Sequence, residues 1–478
     1  MPVLSISQAL AANADADPDR ACLTCGDQSV TRRQFDRLSN RLARAYAELG
    51  VTHGRYVTIA LPNSVEFYVA CAAIWKLGAI PQPVSYRLPD RERQAIVELA
   101  DAALVVGVDA PSHPTRRTVS AGFTPDSSLS DAPLADAVSP SWKAPTSGGS
   151  TGRPKLIVSG DPGTVNTEAP SLGQRRDGVV CIPGPLYHNA PFSFGAQAIF
   201  HGNHVVLLEH FDAEATLAAI ERYGVDWILM VPTMMSRISR LPEAIRNRHD
   251  ISTLQVLWHM AAPCPAWLKE EWCHWIGGEK IFELYAGTEA QAVTVIRGDE
   301  WLAHRGSVGR CIGGEMKVFD PDTLEELPPG AEGEIFMRNT KKTYEYLGAE
   351  ARRTPDGWES LGDMGWIDAE GYVYLTDRRK DMILSGGANI YPAEVENALS
   401  EHPSVVSSAV IGIPDEDLGN RLHAVVQVSA DVSDDDMRTF LADRLVRYKI
   451  PRTFEFTRDP VRDDAGKVRR SALRDERS

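Results

Sequence analysis

The chain has 478 residues, 43% of them hydrophobic and 24% charged, with a formal net charge of −15. That length exceeds one ordinary core and predicts several domains. The acidic balance argues against broad, salt-driven nucleic-acid binding, and no run approaches the roughly 18 apolar residues of a membrane helix.

The opening Met1–Ile6 has neither a charged n-region nor an apolar h-region, so no signal peptide is expected and the cytoplasm is the expected location. Seven cysteines are spread thinly. Cys22 and Cys25 are spaced C-x-x-C, but no second pair completes a zinc set, and reduced thiols are expected.

The first part of the chain reads as alternating helices and strands. Thr31 and Gln34 have capping-box spacing, and Phe35, Leu38, Leu42, Tyr46 and Leu49 follow at helical spacing before Gly50. Residues 56–61 read as a strand. Ser64 caps a helix that ends near Gly78, and residues 111–141, rich in Pro, Ser, Asp and Ala, read as an irregular connection. Asp212 caps a helix closed by Gly224, and 227–231 is a buried strand. Such alternation predicts an α/β fold of mostly parallel, helix-covered sheets. From about residue 301, short β-like pieces at 334–337 and 372–375 predict a smaller antiparallel subdomain. The charged segment Asp377-Arg378-Arg379-Lys380-Asp381 is the predicted boundary. Beyond it, an α+β unit is expected, with a helix after Pro392, strands at 407–411 and 423–428, and a helix from about Asp434 to Val446.

Residues 146–155 read Thr146-Ser147-Gly148-Gly149-Ser150-Thr151-Gly152-Arg153-Pro154-Lys155. Three glycines, four hydroxyls and a lysine suit an anionic phosphate chain. The order is not that of the nucleotide P-loop, which needs Gly-Lys-Ser/Thr directly before a helix. It resembles instead the phosphate loop of the adenylate-forming enzymes: acyl-CoA synthetases, nonribosomal adenylation domains and luciferases. The resemblance extends over nearly the whole chain. In family order follow Pro185-Leu186-Tyr187-His188-Asn189, Ala261-Ala262-Pro263, Tyr285-Ala286-Gly287-Thr288-Glu289, Gly362-Asp363, the 377–381 segment, Gly386-Gly387 and Gly466-Lys467.

The resemblance implies a large N-terminal domain over 1–377, a hinge at 378–381 and a mobile C-terminal domain over 382–478. It implies ATP, Mg²⁺ and coenzyme A as cofactors and a small carboxylic acid as substrate. In it Glu289 is the magnesium ligand, and Thr288 and Lys155 serve the phosphates. Tyr285 offers an aromatic face to adenine, with Ala261-Ala262-Pro263 as the opposing wall. Asp363 takes the ribose hydroxyls, and Arg378 adds a donor. Lys467 bridges carboxylate and α-phosphate oxygens during adenylation. Lys380 is the residue whose backbone turns between two orientations of the C-terminal domain, and Gly386 and Gly387 line the thiol's path in the second.

Three positions depart from the usual pattern: Gly149 for Thr or Ser, Ala286 for Gly, and Leu361 for Thr. His188 and Asn189 lie where the family gates its acyl pocket, with Ala286 and Gly287 at the floor. The segment 187–195 carries no aspartate of the kind that answers an amino-acid ammonium. Ala190, Gly195, Ala286 and Gly287 suggest a roomy pocket. The combined loop and Pro-Leu-Tyr-His-Asn strings are similar to bile-acid or steroid-acid CoA ligases of bacteria, which implies a bulky polycyclic acid. A homodimer, a separate acyl-carrier protein as thiol partner, and a catalytically silent relative stay open.

Overall fold

Thr31 accepts from the Gln34 backbone while the Gln34 side chain accepts from the Thr31 backbone, so the capping box starts the helix Arg32–Glu48. Phe35, Leu42 and Tyr46 are buried on one face, but Leu38 is 41% exposed: it lies on the solvent side of that stripe. Ser64 caps Val65–Lys76, a helix buried on almost every side. Asp212 caps Ala213–Tyr223, which Gly224 ends in the left-handed conformation. The computed structural model describes residues 3–147, 154–169, 171–463 and 466–477.

The main sheet carries six parallel strands. They lie in the hydrogen-bonded order Ala21–Cys25, His204–Leu207, Val179–Ile182, Trp227–Met230, Val256–His259 and Ile281–Ala286. Buried Val, Ile, Leu and Trp fill them, as strands covered on both faces require. Past Ile281–Ala286 the same sheet turns antiparallel through Val293–Arg297, Ser307–Gly313, Tyr372–Arg378, Glu359–Ile367, Gly333–Arg338 and Glu315–Phe319. The antiparallel part is therefore hydrogen-bonded to the parallel part. A second, parallel sheet joins Ile80–Pro83, Tyr56–Ile59, Leu104–Val106 and Arg117–Val119, so the stretch read as irregular holds one short edge strand. A third sheet sets Thr146–Ser147 and Tyr344–Leu347 on either side of Lys155–Ser159.

Residues 383–441 build a core of their own around Ile390, Val395, Leu399, Val410, Ala424, Val426 and Leu441. Its sheet pairs Val405–Asp415 with Gly419–Val428 and adds Thr453–Thr457 in parallel. The last helix of that core covers Asp434–Ala442, shorter than its apolar pattern suggested. A short 3₁₀ turn at Arg447–Lys449 follows, and Pro451 biases Ile450 away from helix. Arg240 Nη2 donates to Ser400 O at 3.2 Å and Trp267 Nε1 to Ser400 Oγ at 3.3 Å, joining this unit to the larger one. Among the described residues, no helix is long and apolar enough to cross a membrane.

Candidate nucleotide and acyl site

The strand Ile281–Ala286 leaves the sheet at the point where its neighbours change from parallel to antiparallel. Tyr285 lies at its end and donates its hydroxyl to Asp363 Oδ2 at 2.7 Å. Burial and that carboxylate push the phenol well above its ordinary range. Asp363 is directly opposite Arg378 on the adjoining strand and accepts from Arg378 Nε at 3.1 Å. The buried Glu289 accepts from Lys155 Nζ at 3.4 Å and from the Tyr346 hydroxyl. The Lys155 ammonium also lies 4.1 Å from the centre of the Tyr346 ring. Thr288 stands half-buried beside Glu289.

Ala261, with a left-handed φ of 73°, turns the chain after Val256–His259 into the segment Ala261-Ala262-Pro263. Beneath it, Lys269 and Glu283 form a buried ion pair at 2.5 Å, which ties the helix Ala266–Ile276 to the strand below.

The turn at Asp463–Lys467 reaches this site from the C-terminal unit. Lys467 N donates to Asp463 Oδ1 at 2.8 Å. Gly466 is buried against Thr233: a Cβ there would stand 2.9 Å from Thr233 Oγ1, and its φ is +74°. His188 Nε2 lies 3.8 Å from Asp463 Oδ2. Burial, then the nearby Lys467 charge, pushes the His188 imidazole down to about 3, so it is neutral at physiological pH. Lys467 keeps exposed surface, yet partial desolvation and Arg378 lower its ammonium, with Asp463 opposing. Lys380 is lowered by burial and by Arg378, and it also feels Asp363 and Lys155. Lys467 feels Arg378, and Lys380 feels Arg378 and Lys155, so these four cations form a chain beside Asp363 and Glu289. Such a locus suits a polyanion.

Against this geometry, a model of the AMP-binding enzyme family matches residues 10–347, and one of the AMP-binding enzyme C-terminal domain matches 394–467. The chain belongs to the AMP-binding enzyme family. It is an enzyme of the acyl-CoA synthetase class. A feruloyl-CoA synthase from an Amycolatopsis species is 31% identical over 96% of each chain. The o-succinylbenzoate CoA synthetase of Bacillus subtilis, solved with its acyl-adenylate, superposes with a TM-score of 0.84 at 26% identity, over 100% of this chain and 99% of that one. The same enzyme solved with ATP and magnesium gives 0.82 at 26% identity, over 99% and 100%.

As an AMP-binding enzyme the chain takes ATP with magnesium, and its residues fit that ion. Among the described residues no group of three His, Cys, Asp or Glu forms a closed metal cage. Glu289 offers a buried carboxylate beside Lys155, which suits an ion that keeps waters and shares phosphate oxygens. Magnesium would supply charge neutralisation between polyphosphate and carboxylate. Gly287 holds that arrangement open: a Cβ on it would stand 2.3 Å from Leu361 Cδ1 and 2.8 Å from Glu289 Oε2. Gly287→Ala is expected to lower pyrophosphate release on the order of 10²-fold by moving Glu289. Adding Leu361→Ala should recover much of that, as a magnesium titration of both variants would show.

Several anticipated residues lie elsewhere or outside view. Gly148, Gly149, Ser150, Thr151 and Gly152 lie outside the described residues, as does the Ser147 side chain; Thr146 pairs with Leu156. Gly386 and Gly387 form the turn of the hairpin Ile383–Ser385/Ala388–Ile390, and Gly386 packs on Leu418; the thiol path they are expected to line belongs to the second orientation. Gly195 makes no room for an acid: its missing Cβ is filled by the Tyr68 hydroxyl in the core. Sequence reasoning missed Tyr346, Asp463 and Lys143. Tyr346 belongs to an unremarkable strand, and its partnership with Glu289 arises only from the pairing of Tyr344–Leu347 with Lys155–Ser159.

Proposed function

We propose that the chain joins a bulky polycyclic carboxylic acid, steroid- or terpenoid-like, to AMP with release of pyrophosphate, and then passes the acyl group to the thiol of coenzyme A. The observation that carries this reading is the docking of the Lys467 turn on the large unit, with His188 Nε2 3.8 Å from Asp463 Oδ2, Asp463 Oδ1 accepting from Lys467 N, and Gly466 against Thr233. A cation there meets the charge that grows as carboxylate attacks the α-phosphate. Asp363 and Arg378 hold the ribose, Tyr285 and Ala261-Ala262-Pro263 flank the base, and Glu289 orders the metal.

The acyl end lies along the helix Asn189–Phe200. Asn189, Ala190, Phe194 and Gln197 keep partial exposure, while Pro191, Phe192, Ala196 and Ile199 are buried. The helix itself carries no carboxylate and His188 is neutral, so the helix offers an ammonium-bearing acid no anionic partner. Ala190 and Ala286 leave width for a ring system. Residues 378–381 act as the hinge between 1–377 and 382–478, with Lys380 changing its backbone angles between the two half-reactions.

The test is pyrophosphate release over a panel of aliphatic, aryl and polycyclic acids, followed by product analysis with coenzyme A and with a carrier protein. Preference for polycyclic acids and an acyl-CoA product are expected. Silence across the panel would leave a catalytically inert relative, and product only with the carrier would replace coenzyme A as the acceptor.

A further inference from the structure

Lys143 lies three residues before Thr146 and is half-buried. Its Nζ donates to Asn189 Oδ1 at 2.6 Å and to Ser193 Oγ at 2.7 Å, and it stands 4.5 Å from the centre of the Trp142 ring. All three partners are neutral. Burial pushes the ammonium down to about 7, and Asp161 is the one carboxylate that counters this. Its contacts with Asn189 and Ser193 place it on the helix Asn189–Phe200.

Two features of the helix Asn189–Phe200 make the position unusual. Asn189 is its first residue, and the preceding His188 supplies no side-chain cap. A helix N-terminus carries partial positive charge, and a cation beside it is unfavourable. Among the described residues, an ammonium and a helix N-terminus thus share one half-buried locus without a carboxylate in contact, an arrangement that costs stability unless something anionic or strongly accepting completes it. Asn189 also opens the partly exposed face that lines the acyl cleft. The ammonium has three hydrogens, and two of them are used by Asn189 and Ser193.

We propose that Lys143, held by Asn189 and Ser193, is a second polar subsite of the acyl cleft, which takes an acceptor oxygen on the acid remote from the carboxylate being activated. This rests on reading that cleft as the acyl pocket. A remote carboxylate and a remote ketone share the chemistry. The subsite adds uniform binding and acts on KM, because the group it holds does not change during reaction.

The experiment compares three acids of one polycyclic skeleton: plain, with a remote ketone, and with a remote carboxylate. Pyrophosphate release and calorimetric binding are measured for the wild type, Lys143→Met and Lys143→Arg. One charged hydrogen bond corresponds to roughly tenfold or more. In the wild type, kcat/KM should favour at least one oxygen-bearing acid by about that factor. Lys143→Met should bring the ratio near one through KM, and Lys143→Arg should keep most of the preference. If the carboxylate is the favoured group, its binding holds the ammonium charged, so wild-type KM should rise as pH passes from about 7 toward 9, and Lys143→Met should lose that slope. If the ketone is favoured, KM should vary far less with pH.

A wild type that turns over the plain acid with a ratio that Lys143→Met leaves unmoved overturns the subsite and spares the acyl pocket. A wild type that neither binds nor turns over any of the three overturns both. A Lys143→Met chain that no longer folds shifts the decision to Lys143→Arg. Loss of preference in the folded Lys143→Arg variant, with plain-acid turnover retained, overturns the subsite.

Discussion

Lys467→Ala is expected to cut acyl-adenylate formation on the order of 10³-fold, while thioester formation from supplied acyl-adenylate stays within about threefold. The split follows from the proposed two-orientation cycle. The Lys467 charge acts on His188 and Arg378, and Asp463 holds its backbone N–H at 2.8 Å. Its ammonium has a use while negative charge accumulates between carboxylate and α-phosphate, and, in the proposed two-orientation cycle, none once pyrophosphate has left and the C-terminal unit has turned. Stopped assays of each half-reaction check it, and equal loss in both would contradict a two-orientation cycle. A pH profile gives a second readout. Because partial desolvation and Arg378 lower the Lys467 ammonium, the alkaline limb of adenylation should begin below the ordinary lysine range. That limb should vanish from the residual activity of the alanine variant.

Much of this site was legible because its chemistry is carried by short strings. The strand Ile281–Ala286 carries Tyr285 and delivers Gly287, Thr288 and Glu289 just beyond it, and Asp363 and Arg378 meet because two adjacent strands put them in register. Caps such as Thr31, Ser64 and Asp212 were equally plain, since each is decided within four residues. What stayed hidden depends on distant segments. Tyr346 lies 57 residues from its partner Glu289, and Lys143 lies 46 residues from Asn189. No local pattern announces either. Gly195 shows the opposite case: a small residue in a pocket-like string suggests space, but the Tyr68 hydroxyl occupies that space. Composition tells that a side chain is small and not which way its helix faces.

Glu396→Gln is expected to slow adenylation about 10- to 100-fold and to lower thermal stability by several degrees, although Glu396 is far from any nucleotide residue in sequence. Glu396 is 7% exposed and lies on the helix Pro392–Ser400. Burial alone would raise its carboxyl; Arg462 and Arg470 outweigh that and hold it below the usual range. Arg462 Nη2 stands 2.6 Å from one oxygen, and Arg470 Nη2 reaches both at 2.7 and 2.8 Å. These two arginines flank the Lys467 turn, and Arg462 Nη1 also donates to Gly466 O at 2.9 Å. One buried carboxylate thus clamps both ends of the turn that presents Lys467. A neutral amide offers one acceptor oxygen for two guanidinium groups and sets an N–H₂ against the other. The turn should then lose its fixed approach while the domain core, built on Val395, Leu399 and Val410, remains. Half-reaction kinetics separate positioning from simple destabilisation. Assayed well below its melting temperature, the variant should lose adenylation and keep thioester formation, whereas a general loss of folded protein would lower both alike. The stability it loses should also depend on pH in a set direction. Because the folded carboxyl is held low, the clamp contributes above the unfolded glutamate range and fades as pH falls through the folded value, so wild type and Glu396→Gln should converge in melting temperature on acidification.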